Sequence, residues 1–168
     1  MVRIESAETP ELVAVNRQLF VEYARSIEID LCFQGFAEEL ARLPGDYARP
    51  AGRLLLAFDG PKAIGCGALR PFESGVCEMK RLYIRPNARG KGAGGALVDA
   101  LISSAKEIGY RKLRLDTLPS MTTAIAIYRS MGFQEIAMYR PNPVPGSLFF
   151  ELDLKPAGEK SGRRHLFD

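Results

Sequence analysis

The apolar positions of this chain follow two different periods, which predict alternating runs of strand and helix. Strand-like patterns occur at residues 2–5, 54–58, 63–69, 76–84, 113–117, 133–138 and 148–154. Four helices are predicted: one that begins at Thr9-Pro10, one over residues 36–43, one that Gly109 ends, and one that Ser120 caps and that runs to about residue 130. The predicted order is βααβββαβαββ, with a parallel crossover around residues 89–95 and antiparallel pairing elsewhere.

The composition is that of one globular domain. The 168 residues are 46% hydrophobic and 26% charged, which excludes disordered, collagen-like and coiled-coil proteins. We expect a single α/β domain over residues 1–155, in which helices flank a mixed, mostly antiparallel sheet. Residues 156–168 are polar and rich in turn formers, so we expect them to form a disordered tail.

Charge and cysteine usage narrow the class of partners. The net charge of +3 comes largely from the polar tail, and the nearly neutral body argues against a nucleic-acid partner. Five basic residues and no acidic one lie between Lys80 and Lys91, which indicates a local anion site. The cysteines lack metal-ligand spacing, so we expect no metal. The sequence has neither a signal peptide nor an 18-residue apolar stretch, so we expect no membrane partner and a cytoplasmic location.

A glycine-rich run, residues 89–95, separates a predicted strand from a predicted helix. In that setting free backbone N–H groups and the helix dipole bind phosphate. The run is not a Walker A motif, and its formal match to a dinucleotide-binding fingerprint lacks the usual βαβ setting. A tight turn would explain the glycines equally well, but the preceding strand carries three charges, at Glu78, Lys80 and Arg81, which indicates a nearby polar pocket.

Two segments together resemble the GCN5-related N-acetyltransferase (GNAT) superfamily. The first is residues 82–94, with an R-x-x-G-x-G motif at Arg89, Gly92 and Gly94, and the second is residues 124–133. The resemblance implies that acetyl-CoA is the donor. It places the cofactor against the following residues: Leu82, Tyr83 and Ile84 beside the pantetheine arm, and Arg89, Gly90, Lys91, Gly92, Ala93, Gly94 and Gly95 around the pyrophosphate.

The resemblance also implies catalytic residues. Glu78 occupies a strand position at which some family members place a general base, and Tyr128 matches the tyrosine that protonates the thiolate. The alternatives are that Glu78 pairs structurally with Lys80 or Arg81, and that Tyr128 only packs in the core. Many relatives have Asn seven residues before this tyrosine, whereas this chain has Met121, which puts one cofactor or helix-entry contact in doubt.

The acceptor is expected to be a small primary amine that carries an anionic group. Regular alternation would place Glu78 and Lys80 on one face of their strand and Arg81 and Tyr83 on the other. The predicted acceptor-binding residues are Gln34, Phe36, Lys80, Arg81, Tyr139 and Asn142. Three alternatives remain: an enzyme that acetylates a protein amine, a non-catalytic module that binds or senses acyl-CoA, and a nucleotide-binding protein. The exposed strand edges expected for this topology are compatible with a homodimer.

Overall fold

A computed structural model describes residues 1–27 and 35–154. Seven strands form one sheet: β1 (Val2–Ser6), β2 (Arg53–Asp59), β3 (Lys62–Glu73), β4 (Val76–Ile84), β5 (Lys112–Thr117), β6 (Gln134–Ile136) and β7 (Leu148–Asp153). Four α-helices accompany it in the described ranges: α1 (Pro10–Ile27), α2 (Phe36–Arg42), α3 (Ala93–Ile108) and α4 (Thr122–Ser130). None of these helices combines the length and the apolar character needed to cross a membrane.

The sheet has the strand order β1-β2-β3-β4-β5-β7-β6, so β4 lies at its centre. Adjacent strands are antiparallel except β4 and β5, which are parallel because α3 connects them as a crossover. The observed element order and the mixed sheet confirm the prediction from the apolar pattern. The predicted tail, residues 156–168, lies outside the described residues.

Two apolar cores hold the helices against the two faces of the sheet. Leu97, Leu101 and Ala105 of α3 are fully buried against one face, and α4 packs on the same side. Leu19 and Phe20 of α1 are fully buried against the other face, where α2 also packs. Polar side chains that project from the central strands toward α1 and α2 are therefore enclosed between sheet and helices.

The helix boundaries follow the predicted signals except at α4. The Leu12 N–H donates to Thr9 Oγ1 at 3.2 Å, which makes Thr9 the expected cap of α1. The prediction that Ser120 caps α4 is wrong, because α4 begins at Thr122 and Met121 occupies the N-cap position without a side-chain cap. Ser120 instead accepts a hydrogen bond from the Thr122 N–H through its backbone carbonyl, at 2.9 Å.

The two parallel strands pair over a short distance and then separate. Their register runs from Val76 opposite Lys112 to Glu78 opposite Arg114 and ends there. Beyond that point the edge of β4 that faces β5 has no strand partner among the described residues. The separation opens a cleft in the middle of the sheet.

Candidate active site

The cleft between β4 and β5 collects side chains from both faces of the sheet. We call it the interstrand cleft. It is lined by Met79, Lys80, Arg81 and Leu82 of β4, Leu115, Asp116 and Thr117 of β5, Tyr23 and Ile27 of α1, Tyr128 of α4, and the loop residues Leu118, Met121, Asn142 and Val144. Five predicted site residues outside the glycine-rich run therefore meet in one place: Lys80, Arg81, Leu82, Tyr128 and Asn142.

A bulge in β4 decides which charged side chains share a face. Arg81 has φ +62°, and the register with β3 shifts between Cys66 and Ala68, so β4 contains an extra residue there. Arg81 consequently points toward α2 and Tyr83 toward α1, on the same face as Glu78 and Lys80. The prediction that alternation separates these residues is wrong, because the bulge interrupts the alternation.

Lys80 is a buried cation with one loosely placed partner. Its side chain is 3% exposed, and its Nζ lies 3.6 Å from Asp116 Oδ1. No hydrogen bond joins this ammonium to any residue in the described ranges. Burial, which the charge of Asp116 only partly offsets, lowers the pKa of Lys80 to about 8.

Asp116 lies across the cleft from Lys80 and was not predicted as a site residue. Its side chain is 6% exposed, and Asn142 Nδ2 donates to its Oδ2 at 3.1 Å. Asn142 is itself oriented by the Val144 N–H, which donates to Asn142 Oδ1 at 2.9 Å. The predicted acceptor residue Asn142 thus fixes one carboxylate oxygen and leaves the other directed at Lys80.

Glu78 is fully buried at the closed end of the strand separation. Arg70 donates to Glu78 Oε1 from Nε and Nη2, at 3.2 and 3.0 Å, and Arg140 Nη2 donates to the same oxygen at 3.1 Å. The Tyr139 hydroxyl donates to Oε2 at 2.7 Å. Both oxygens of Glu78 are therefore occupied, and Glu78 does not line the interstrand cleft.

The alternative that Glu78 pairs with Lys80 or Arg81 is wrong about the partners. Lys80 pairs with Asp116, and Arg81 pairs with Glu39 through two hydrogen bonds of 2.8 and 3.0 Å. Sequence could not identify Arg70 and Arg140 as the partners, because they come from β3 and from the segment after β6. The assignment of Glu78 as general base stays a prediction.

Tyr128 reaches the interstrand cleft from α4. Its ring packs against Phe133 and Phe150, with centroid distances of 5.6 and 6.0 Å, and 5% of the residue is exposed. Burial raises the pKa of Tyr128 above its usual value, so the phenol is protonated at neutral pH. Its hydroxyl has no hydrogen-bond partner in the part of the chain that the structure describes. The geometry is compatible with both predicted roles, proton donation and core packing.

The glycine-rich run forms the entry to α3, as the strand-to-helix position predicts. Gly90 and Gly92 have φ of +88° and +82°, and a Cβ on either glycine would meet no atom within 4 Å. Gly92 is the N-cap of α3 and provides no side-chain cap, so first-turn N–H groups remain available to an anion. Gly94 lies against Ile127 of α4 and Ile84 of β4, where a Cβ would come within 3.1 and 3.9 Å of their side chains.

The basic cluster between Lys80 and Lys91 is mostly neutralised by acids from distant segments. Arg85 pairs with Glu22 at 2.8 Å, and Lys91 pairs with Asp59 at 2.8 Å. Arg89 is the member of the cluster without a carboxylate within 4 Å among the described residues, and its Nε donates to the Ile84 carbonyl at 3.2 Å. In this structure the Lys91 ammonium is therefore engaged at the β2–β3 turn.

Phe36 and Tyr139, two further predicted acceptor residues, are described but do not line the interstrand cleft. The Phe36 ring lies beneath the Arg81 guanidinium at 5.0 Å. Tyr139 stacks edge-on between Phe72 and Phe149, at 5.1 and 5.4 Å. Gln34, also predicted to bind the acceptor, lies outside the described residues.

Comparison with known proteins identifies the family. Residues 18–133 match the model of the acetyltransferase (GNAT) family, and the chain belongs to this family. An uncharacterized N-acetyltransferase of Schizosaccharomyces pombe is 36% identical over 155 residues, which cover 91% of this chain and 95% of that protein. An IAA acetyltransferase of Azospirillum brasilense is 37% identical over 109 residues, 64% of this chain and 71% of that protein.

Solved structures show the same fold. A phosphinothricin acetyltransferase of Sinorhizobium meliloti, solved in complex with AcCoA, superposes with a TM-score of 0.69 and 19% identity, covering 96% of this chain and 93% of that one. Together with the family match, the comparisons make this chain an acetyl-CoA-dependent N-acyltransferase. They confirm the resemblance that was carried by residues 82–94 and 124–133.

Proposed function

We propose that this enzyme acetylates the amino group of a small molecule that also carries an anionic group. The observation that supports this acceptor class is that Lys80 is buried and has no close partner for its charge among the described residues. A buried ammonium is costly unless it is closely paired, and Lys80 has one partner at 3.6 Å. A bound carboxylate or phosphate would supply the close partner that Lys80 lacks.

Three other cations on this face, the buried Arg81 and the partly exposed Arg70 and Arg140, already have close carboxylate partners. Arg81 is held by Glu39, and Arg70 and Arg140 share Glu78, with hydrogen bonds between 2.8 and 3.2 Å. An acceptor anion would compete with these carboxylates for the guanidinium groups. The buried Nε of Arg140 makes no hydrogen bond to a described residue, but its guanidinium is already paired with Glu78. Lys80 is therefore the cation best placed to bind it, and Asn142 lies beside the same cleft.

The donor would enter along β4 and the glycine-rich run. We assign the acetyl-CoA pyrophosphate to the N–H groups of residues 89–95, and the pantetheine arm to the unpaired edge of Leu82, Tyr83 and Ile84. This path brings the thioester toward the interstrand cleft. There Tyr128 is placed to protonate the departing thiolate once the amine has attacked the acetyl carbonyl.

The names of relatives do not select one acceptor. The Azospirillum brasilense relative is named an IAA acetyltransferase, and a relative from Klebsiella aerogenes, 29% identical over 65% of this chain, is named an aminoglycoside N(6')-acetyltransferase. These names point to different acceptors. The acceptor class proposed here accordingly rests on the cleft of this chain.

The proposal is tested by an acceptor screen with the full chain. Acetyl-CoA is incubated with α-amino acids, with 6-aminohexanoate, with glucosamine 6-phosphate, and with matched amines that lack the anion, and released CoA thiol and product mass are measured. We expect at least one anionic amine to react at least 10-fold faster, in kcat/KM, than its uncharged counterpart. Equal rates would overturn the anionic acceptor, and acetyl-CoA binding without any turnover would favour a sensing module.

A matched pair of variants tests whether Lys80 causes the preference for anionic amines. Lys80→Met is expected to remove the preference for anionic amines, whereas Lys62→Met, which removes an exposed lysine at the start of β3, should leave it unchanged. Loss of the preference in both variants would show that the effect belongs to overall charge. Retention of the preference in Lys80→Met would place the anion elsewhere.

A further inference from the structure

We propose that Asp116 and Lys80 together form a subsite for an α-amino-acid group, in which Asp116 binds the ammonium and takes its proton while Lys80 binds the carboxylate. This inference rests on the proposed function and deepens it by naming both the acceptor class and the base. It assigns a role to Asp116 that neither the motifs nor the family resemblance indicated.

The first argument is the geometry of the pair. Lys80 and Asp116 face each other across the point where β4 and β5 separate, with side chains 3% and 6% exposed. Their charged atoms lie 3.6 Å apart, longer than a hydrogen bond, so neither group is satisfied by the other. In an α-amino acid one carbon atom separates the ammonium from the carboxylate. Such a group can place its ammonium beside Asp116 and its carboxylate beside Lys80, so that positive and negative charges alternate among the four groups.

The second argument compares the buried carboxylates on this face of the sheet. Both oxygens of Glu78 accept hydrogen bonds, from Arg70, Arg140 and Tyr139. Both oxygens of Glu39 also accept hydrogen bonds. Asp116 has an oxygen, Oδ1, with no hydrogen-bond donor within 3.5 Å in the described ranges. Of these carboxylates, Asp116 is therefore the one with an oxygen that accepts no hydrogen bond from a described residue, so it has the most unused capacity to accept a proton.

The third argument is the position of Asp116 relative to the proposed acid. Asp116 and Tyr128 line the same cleft from β5 and α4, and Glu78 does not line it. Asn142 holds Asp116 Oδ2, which orients the carboxylate without neutralising its charge. A base and an acid placed in one cleft can serve the nitrogen and the sulfur of the same reaction.

The reaction balances with these groups. The acceptor ammonium gives one proton to Asp116, and the nitrogen lone pair then forms the C–N bond with the acetyl carbon. The C–S bond breaks, its electron pair remains on sulfur, and the thiolate takes the Tyr128 proton. The attacking nitrogen loses its second proton, which restores Tyr128 through solvent, and Asp116 releases its proton to solvent. The net products are the acetylated amine, CoA thiol and one proton.

The experiment measures Asp116→Asn beside Glu78→Gln, with the exposed Asp46→Asn as a control. We expect Asp116→Asn to lower kcat by about 10²-fold or more for every acceptor that the wild type uses, because general base catalysis contributes about that much. Calorimetric binding of acetyl-CoA should be unchanged in Asp116→Asn, and Asp46→Asn should keep the wild-type rate. A wild-type kcat in folded Asp116→Asn would overturn the assignment, and loss of kcat in folded Glu78→Gln alone would assign the base to Glu78.

A second measurement uses only the wild-type enzyme, so it does not require any variant to fold. Its kcat/KM is compared for norleucine, for the isomeric 6-aminohexanoate, and for pentylamine, together with the full set of α-amino acids. The inference requires that the fastest acceptor in the screen is an α-amino acid. If glucosamine 6-phosphate or 6-aminohexanoate is fastest, the inference fails while the proposed function holds. If no anionic amine is preferred, both fail.

Discussion

At the scale of single residues, the anion-binding role proposed for Lys80 depends on pH. Its pKa is lowered to about 8, so the cation is present below pH 8 and is lost above it. The titratable and charged groups that face it or line the cleft with it in the described chain are Asp116 of β5, Glu78 and Arg81 of β4, Arg70 of β3, Tyr23 of α1 and Tyr128 of α4. Asp116 and Glu78 oppose the effect of burial without cancelling it.

We therefore expect kcat/KM for an anionic acceptor to fall as pH rises through about 8 in the wild type. Lys80→Met should lose this dependence, because no titrating cation remains in the cleft. The measurement is the ratio of wild-type to Lys80→Met kcat/KM on one acceptor from pH 6.5 to 9.5, since the ionisation of the acceptor cancels in that ratio. A ratio that stays constant with pH would contradict a role for the Lys80 charge.

Tyr128 provides a second prediction at this scale. Tyr128→Phe removes the proposed donor to the thiolate but keeps the ring that packs against Phe133 and Phe150. We expect kcat to fall by about 10²-fold, as for the loss of a general acid, with little change in acetyl-CoA affinity. Tyr110→Phe is the matched control, because Tyr110 is also buried but its hydroxyl donates to Ala51 at 2.7 Å, a contact outside the cleft. Equal losses in both variants would indicate a packing effect.

Residue-scale reasoning from the sequence singled out Lys80, Tyr128 and Asn142, which line the interstrand cleft, but not Asp116, which lies among them. Residues 112–117 alternate polar and apolar side chains, a pattern typical of a strand with one solvent-exposed face. In the fold, the end of that polar face is covered, and Asp116 is buried between Lys80 and Asn142. The pattern correctly separates the two faces of β5, but burial of the polar face depends on segments distant in sequence.

At the scale of secondary-structure elements, the entry to α3 combines a conformational requirement with the pyrophosphate binding that we propose for it. Gly92→Ala and Gly60→Ala both place a Cβ at positive φ, +82° and +60°, and in both cases the Cβ meets no neighbouring atom. Each substitution should therefore cost about 1–2 kcal/mol of unfolding free energy through backbone strain alone. Urea unfolding measures this cost.

Acetyl-CoA binding should distinguish the two glycine variants. Gly60 lies in the β2–β3 turn, whereas Gly92 sets the direction of the first N–H groups of α3. We expect Gly92→Ala to weaken acetyl-CoA binding by about 10-fold or more and Gly60→Ala to leave it unchanged, as measured by calorimetry. Equal affinities in the two variants would place the pyrophosphate away from this loop.

The order and type of the elements were predictable because helical and strand periods are local properties of the sequence. The bulge at Arg81 was not predicted. It moves the positions that face α3 from odd (Cys77, Met79) to even (Leu82, Ile84), but Tyr83 on the opposite face is also apolar and hides this change. Its consequence is large, because it puts Lys80 and Arg81 on the same face. The partners of the basic cluster were equally hidden, since Glu22 and Asp59 lie more than 30 residues from the cations they bind.

At the scale of the whole molecule, cofactor binding should appear as stability. A ligand at 100 times its dissociation constant adds about 2.7 kcal/mol, which raises the unfolding midpoint of a domain of this size by about 5–10 °C. We expect that rise with acetyl-CoA and with CoA, and none with ATP or NAD, in thermal unfolding of the full chain. A comparable rise with ATP or NAD would show that the glycine-rich loop serves a nucleotide instead.

The short pairing of β4 with β5 has a consequence for amide hydrogen exchange along β4. The amide hydrogens that join the two strands between Val76 and Glu78 are enclosed at the centre of the molecule, whereas those of β4 that point toward β5 beyond Glu78 face the cleft. Exchange with deuterated water should thus be slow in the first part of one continuous strand and fast in the second. If acetyl-CoA lies along that open edge as we propose, it should slow exchange in the second part and leave the first part unchanged, so the first part of β4 serves as the internal control for the second.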